Sequence, residues 1–186
     1  MKKISPGEAI IGTNNLTIGD FWSWAYSDVL SNINRSVFAE FIVGTCLGVI
    51  DKPRVEWDAY DLRYGDKNIE VKASAYIQSW NHESSSQIRF DISKKIPWYA
   101  ETNTYEKEPR RSADCYVFCL YKGRDPNKES MLNLGNWVFY VIATARIDRE
   151  LGAQKSVGLS TIETMSDPAS HEVLKARIDE TLTTQS

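Results

Sequence analysis

The sequence predicts a mixed α/β fold, in which a sheet lies between helices, from three features. Segments near the start have apolar residues at three- and four-residue spacing, the period of an amphipathic helix. Two strand-like runs then flank Gly65-Asp66, a pair typical of a two-residue hairpin turn. Two segments, residues 113–121 and 137–144, contain continuous apolar runs typical of strands buried on both faces. With 186 residues, the chain is long enough for one domain with a sizeable core.

The first helix is expected over residues 17–30, as part of an N-terminal helical extension of about residues 1–33. Its spacing places one apolar face toward the rest of the domain, and Trp24 is expected in the core or an interface. A second helix is expected over about residues 34–47, with Asn34 as its N-cap and Gly48 just past its end.

The hairpin is expected to pair residues 57–64 with residues 67–75. If Gly65-Asp66 is the turn, Tyr64 faces Lys67, and counting outward places Asp61 opposite Glu70. Their Cβ atoms are then ~5 Å apart on one face of the hairpin. Lys72 lies two residues beyond Glu70 and points to the same face.

Two carboxylates that face each other weaken a sheet unless another charge offsets their repulsion. One interpretation is a salt-bridge cluster with Arg63 and Lys72. The other is a bound divalent cation, because hard cations prefer oxygen ligands and tolerate dense negative charge. The pattern by itself leaves both interpretations open.

The rest of the chain fits the same fold. A half-buried strand is expected over residues 87–93, and helices over residues 144–151 and about 168–182, the last capped by Asp167. Residues 94–112 are expected to be irregular, and they interleave basic with aromatic side chains. That composition suits either a solvated surface loop or a loop that contacts DNA.

Net charge and the distribution of apolar residues limit the partners and the location expected for the protein. The formal net charge is −3, which argues against indiscriminate electrostatic binding to nucleic acid but allows a local basic patch. No run of 18 apolar residues is present, so no membrane partner is expected. The N-terminus lacks the apolar region of a signal peptide, and a cytoplasmic location is the default expectation.

The hairpin motif resembles that of the PD-(D/E)XK nuclease superfamily. Tyr60-Asp61-Leu62 stands in the place of Pro-Asp-hydrophobic, and Glu70-Val71-Lys72 is Glu-x-Lys. The resemblance rests on residues 34–80, about a quarter of the chain. It implies a restriction-endonuclease-like core, similar to Holliday-junction resolvases, and hydrolysis of DNA phosphodiester bonds that depends on Mg²⁺ or Mn²⁺.

The resemblance also implies a role for each residue. Asp61, Glu70 and the Val71 carbonyl hold the metal, and Lys72 positions or deprotonates the attacking water. Glu40, on the preceding helix, aids the metal through water or a second ion, although an exposed helix residue is the alternative. Gln78 supports the site or the phosphate, although a hydrogen-bonding turn residue is equally compatible with its position.

Two other functions remain open at this stage. The same fold can serve as a catalytically idle module that binds nucleic acid or protein. The hairpin can also belong to an unrelated scaffold with a salt-bridged surface. If the substrate is duplex DNA cut on both strands, a homodimer is favoured.

Overall fold

A computed structural model describes residues 2–79, 86–124 and 128–184. The helices are α1 Ile18–Tyr26, α2 Asn32–Leu47, α3 Lys128–Leu132, α4 Thr144–Leu151, α5 Leu159–Met165 and α6 His171–Thr183. The strands are β1 Leu62–Tyr64, β2 Lys67–Ala75, β3 Arg89–Asp91, β4 Trp98–Tyr99, β5 Thr104–Tyr105, β6 Cys115–Tyr121, β7 Trp137–Ala143 and β8 Ser156–Gly158.

The central sheet has the order β1-β2-β6-β7. β1 pairs antiparallel with β2, β2 runs parallel to β6, and β6 pairs antiparallel with β7. Both strand directions therefore occur in one sheet, and helices pack against it, which confirms the predicted mixed α/β class.

Each face of this sheet packs against its own hydrophobic core. One face, with Ile69 and Val71, packs against α2 and α6. The opposite face, with Tyr116 and Phe118, packs against β3, β8 and residues of α4 and α5. Because side chains alternate along a strand, Glu70 and Lys72 of β2 belong to this second face.

The two N-terminal helices differ from their predicted form. α1 ends at Tyr26 and has no buried residue, and Trp24 is 84% exposed, so the expectation that Trp24 lies in the core is wrong. α2 begins at Asn32 rather than Asn34, because the Ser31 side chain accepts a hydrogen bond from the Asn34 amide and caps the helix. The end at Gly48 is as predicted, with Gly48 in the left-handed conformation.

The hairpin strands are unequal in length. β2 covers the predicted residues 67–75, whereas β1 is only three residues long instead of spanning residues 57–64. Residues 57–61 bend instead, and Trp57 adopts a positive φ of 64° that is incompatible with a strand. Because β1 pairs only with residues 67–69, the rest of the β2 edge on that side has no strand partner within the described part of the chain.

Several smaller elements depart from the sequence-based expectation. The loop of residues 94–112 contains the two-stranded pair β4–β5, and β8 and α5 were not predicted. The last helix begins at His171 rather than Pro168, because Ala169 instead forms a bridge with Phe139 of β7. Across the described ranges, no helix combines the length and the apolar character needed to cross a membrane.

Candidate functional site

The turn between β1 and β2 sets the register that the candidate site depends on. Gly65 adopts a positive φ of 62°, which glycine tolerates without strain, and Tyr64 pairs with Lys67. The ladder continues through Leu62 and Ile69, and the Asp61 amide donates to the Ile69 carbonyl at 3.1 Å. Asp61 lies just outside this ladder, close enough to Glu70 to raise its pKa by repulsion, and the facing register of the two acids stays a prediction.

Asp61 directly precedes Leu62, the first residue of β1. Its side chain, rather than a backbone carbonyl, accepts the next hydrogen bond from β2. Its Oδ2 atom accepts a hydrogen bond of 2.7 Å from the amide of Val71. The carboxylate is therefore fixed against the free edge of β2. A side chain in this place is available to a ligand at the edge without breaking the β1–β2 ladder.

Lys72 is the direct ion-pair partner of Glu70. The Lys72 Nζ atom donates to Glu70 Oε1, and the two side chains are only 20% and 16% exposed. Arg63, the second basic residue expected in a salt-bridge cluster, does not join it. Its side chain donates instead to the Gly65 carbonyl and to Asn68. A structural ion pair therefore accounts for Glu70 but leaves Asp61 without an equally direct basic partner among the described contacts.

Glu40 is buried rather than exposed, with 7% of its surface accessible. Arg54, in the loop before the hairpin, donates to both carboxylate oxygens of Glu40, with Nη2 to Oε1 at 2.9 Å. Glu40 is close enough to Asp61 to repel it, and Arg54 is close enough to attract Asp61. The helix residue thus belongs to the same charged cluster as the hairpin acids, as expected from its position.

The electrostatics of the cluster reflect crowded negative charge. Burial raises the pKa of Asp61; Lys72 opposes this shift, and the charge of Glu40 adds to it. Burial also raises the pKa of Glu70, with repulsion from Asp61 as the next cause. Burial disfavours the charge on Lys72, but attraction by Glu70 and Asp61 outweighs it and raises the Lys72 pKa. Lysine therefore stays protonated while both acids resist ionisation.

The donor chemistry of this cluster fits a hard divalent cation. Asp61 and Glu70 supply carboxylate oxygens from positions close enough for the two charges to repel each other. The N–H and C=O of one strand residue point to the same edge, so the Val71 carbonyl lies on the same side as its amide, next to Asp61. Three oxygen donors of this kind suit Mg²⁺ or Mn²⁺, which prefer carboxylate, carbonyl and water ligands.

The structure also limits the number of acids that converge. Among the residues that the structure describes, no group of three or more His, Cys, Asp or Glu side chains is placed to hold a metal ion. The carboxylate of Glu40 is engaged by Arg54, which leaves Asp61 and Glu70 as the two neighbouring acids of the cluster. The metal role of Glu40 therefore stays a prediction.

Gln78 makes its hydrogen bonds to residues other than the acids of the cluster. Its Oε1 atom accepts from Arg35 at 3.3 Å, and its Nε2 atom donates to the Ala75 carbonyl and to Ser86. These contacts tie the end of β2 to the start of α2, and among the described residues the hydrogen-bond partners of Gln78 include none of Asp61, Glu70 and Lys72. The contacts match a hydrogen-bonding residue after a strand, and the support of Gln78 for the site stays a prediction.

Sequence reasoning missed three charged residues of the site. Arg54 holds Glu40, Asp91 attracts Lys72, and Lys95 attracts Glu70. Asp91 and Lys95 pair with each other at 3.3 Å, at the edge of the cluster. These residues come from loops and a short strand, which have no periodic sequence pattern. The only sequence signal for Arg54 and Lys95 was that the acids Glu40, Asp61 and Glu70 outnumber Lys72 and therefore need further basic partners.

Comparison of the chain with protein-family models, with curated proteins and with solved structures yields no match. The expectation of a restriction-endonuclease-like core therefore continues to rest on the hairpin motif.

Proposed function

We propose that the chain is a metal-dependent nuclease that hydrolyses phosphodiester bonds in DNA. The observation that carries this proposal is a pair of half-buried acids, Asp61 and Glu70, which are close enough to repel each other and which both attract one lysine, Lys72. Facing carboxylates are unfavourable in a sheet, and perturbed acids of this kind cluster at functional sites.

The charge balance of the cluster supports a cation as the missing partner. Asp61, Glu70 and Glu40 carry three negative charges when ionised, whereas Lys72 and Arg54 carry two positive charges. The excess negative charge lies at the free edge of β2, where the Val71 carbonyl adds another oxygen donor. A divalent ion bound there supplies a positive charge that polarises the scissile phosphate and lowers the pKa of water.

Lys72 is suited to stabilise charge on the phosphate. Its raised pKa keeps it protonated at neutral pH, so it acts as a hydrogen-bond donor and a positive charge. A protonated lysine can orient the attacking water and stabilise negative charge as it develops on the phosphate oxygens. Deprotonation of water by Lys72 requires that the lysine first lose its proton, which Glu70 and Asp61 disfavour.

Glu40 and Arg54 form the second part of the proposed site. Arg54 neutralises the buried carboxylate of Glu40, and its side chain is 35% exposed. Arg54 is therefore accessible to a phosphate, and a guanidinium matches phosphate geometry. Glu40 then becomes available to support the ion through water.

DNA is the proposed substrate, and a homodimer is proposed where both strands of a duplex are cut. One chain carries one Asp61–Glu70 pair, so simultaneous cleavage of two strands needs two copies. The net charge of −3 means that DNA binding depends on local basic groups and on the ion.

A specific observation favours one alternative. Lys72 and Arg54 pair directly with Glu70 and Glu40. An idle module that binds nucleic acid or protein on the same fold would keep these pairs and require no cation.

Titration with Mn²⁺, followed by incubation with duplex and single-stranded DNA, tests the proposal. Wild type is expected to bind Mn²⁺ and to release cleaved DNA, and Glu70→Gln is expected to lose both. Glu8→Gln, an exposed site outside the cluster, is the matched control and should retain both activities. Wild-type protein that binds no Mn²⁺ and cuts no DNA would establish the idle module instead.

A further inference from the structure

A pocket lies beyond the carboxyl end of β2, the strand that carries Glu70 and Lys72. It has a volume of about 310 Å³ and is lined by Tyr76, Ser86, Gln87, Ile88, Arg124 and Leu159, among others. Its volume falls in the range of small-molecule sites. β2 and β6 run parallel and end together, with Ala75 opposite Tyr121, so the pocket lies outside their carboxyl ends. That edge is the usual ligand position in open α/β sheets.

Tyr76 and Arg124 give the pocket a flat, cationic wall. The Arg124 guanidinium carbon lies 4.7 Å from the centre of the Tyr76 ring, a cation–π distance. Tyr76 is half-buried and packs against the core of the same sheet face, which holds the ring in place. Aromatic rings and guanidinium planes are the groups on which proteins stack unpaired nucleobases.

The other lining groups suit the edge of a base. Ile88 and Leu159 supply apolar contact, whereas Ser86 and Gln87 carry hydrogen-bond donors and acceptors. A phosphate needs several donors and no apolar wall, and a lipid chain needs no polar rim. A flat heterocycle with a polar edge matches both kinds of lining.

The pocket is also within reach of the proposed catalytic cluster. Lys72 and Tyr76 are four residues apart, and Tyr76 lies in the bend just past the end of β2 at Ala75, so their Cα atoms are at most roughly 14 Å apart. A DNA strand with stacked bases advances about 3.4 Å per nucleotide, so this distance spans at most about four nucleotides.

We propose that this pocket binds an unpaired nucleobase of the DNA strand that is cut at Asp61, Glu70 and Lys72. The inference rests on the proposed function for the identity of the strand, whereas the stacking contact depends only on Tyr76 and Arg124. It implies a substrate with at least one unpaired base within about four nucleotides of the cleaved bond, such as a single strand or an open end.

A scan of abasic positions in a single-stranded oligonucleotide tests the inference. The probes are one DNA sequence of twelve nucleotides and a matched set, each with one base removed. Affinity is measured without metal and with Mn²⁺, and cleavage is measured separately. Removal of the stacked base is expected to weaken binding to wild type roughly 5- to 150-fold, and removal of other bases to have less effect.

The variants separate stacking from charge. Tyr76→Ala should abolish the difference between the intact and the abasic probe, whereas Tyr76→Phe should retain it. Arg124→Gln and Arg124→Lys should both reduce it, because lysine keeps the charge but lacks the stacking plane. Arg124 is exposed, so these two variants also serve if Tyr76→Ala does not fold.

Each result decides the inference. Equal affinity for every probe, an undiminished difference in Tyr76→Ala, or full rescue by Arg124→Lys overturns it, as does wild type that binds no single strand with or without Mn²⁺. A base-dependent difference that needs Tyr76, in a protein that cuts no DNA, supports the pocket and refutes the nuclease. Cleavage that is indifferent to every abasic position refutes the pocket and leaves the nuclease standing.

Discussion

The amide of Val71 donates a hydrogen bond of 2.7 Å to the carboxylate of Asp61, the residue that directly precedes β1. One side chain thus extends the edge of the sheet by one contact and is fixed close to Glu70. This position places the negative charge of Asp61 next to that of Glu70 at a partly buried site, which is unfavourable. This relationship makes Asp61 the residue whose removal should most clearly separate stability from function.

Asp61→Asn should stabilise the metal-free protein at pH 7. Burial raises the pKa of Asp61, so its contribution to stability is present below the pKa of the unfolded chain. That contribution is lost as the pH rises through the higher pKa of the folded state. Asparagine does not ionise and can still accept from Val71. The stability advantage should therefore shrink as the pH falls toward about 4, the ordinary carboxyl range.

Denaturant unfolding in the presence of a chelator, at several pH values, measures this effect. Asp66→Asn is the matched control, because Asp66 lies in the exposed turn of the same hairpin and should leave stability nearly unchanged. Wild type that is more stable than Asp61→Asn at pH 7 would show that Asp61 is a satisfied structural residue.

Arg54→Ala should lower stability and raise the affinity for Mn²⁺. The buried Glu40 loses its partner, at a cost of about 1–3 kcal/mol or more, the penalty for leaving a buried polar group without a hydrogen bond, which is larger for a charged group. The same change removes a positive charge near Asp61 and frees Glu40 for the ion. Thermal unfolding and calorimetric titration measure the two effects. Arg63→Ala on the hairpin is the control, since Arg63 contacts neither acid. Unchanged or weaker Mn²⁺ binding by Arg54→Ala would remove Glu40 from the site.

The affinity for Mn²⁺ should fall as the pH is lowered. This fall should begin at a higher pH than it would for ligands with ordinary carboxyl pKa values. Protons compete with the ion for Asp61 and Glu70, and burial raises the pKa of both groups. Ordinary Asp and Glu side chains titrate near 4, so the affinity should already decline above that value. Titration with Mn²⁺ at a series of pH values, with folding monitored in parallel, measures it. An affinity that stays constant down to about pH 4 would contradict the proposed ligands.

The hairpin register was predictable because its signal is local. Gly65-Asp66 fixes the turn, the turn fixes which residues face each other, and the alternation of β2 fixes the face of Glu70 and Lys72. The buried strands β6 and β7 were predictable for the same reason, since continuous apolar runs identify them without reference to the rest of the chain.

The features that sequence missed depend on contacts between distant residues. β8 has three residues and forms only because β3, more than sixty positions earlier, pairs with it. The Arg54–Glu40 pair depends on the path of a loop that bends at Trp57. The spacing of α1 predicted an apolar face but not whether the domain covers that face, and Trp24 stays exposed. Local periodicity carries no information of these kinds.

The rate of DNA cleavage by Lys72→Ala, compared with wild type in Mn²⁺, tests the central claim most directly. Lysine is not a ligand, so its removal should leave Mn²⁺ binding largely intact while the cleavage rate falls roughly 10²–10⁴-fold. Lys67→Ala, at the turn of the same hairpin, is the matched control and should cut at the wild-type rate. A stable, metal-binding Lys72→Ala protein that cuts DNA as fast as wild type would contradict the account.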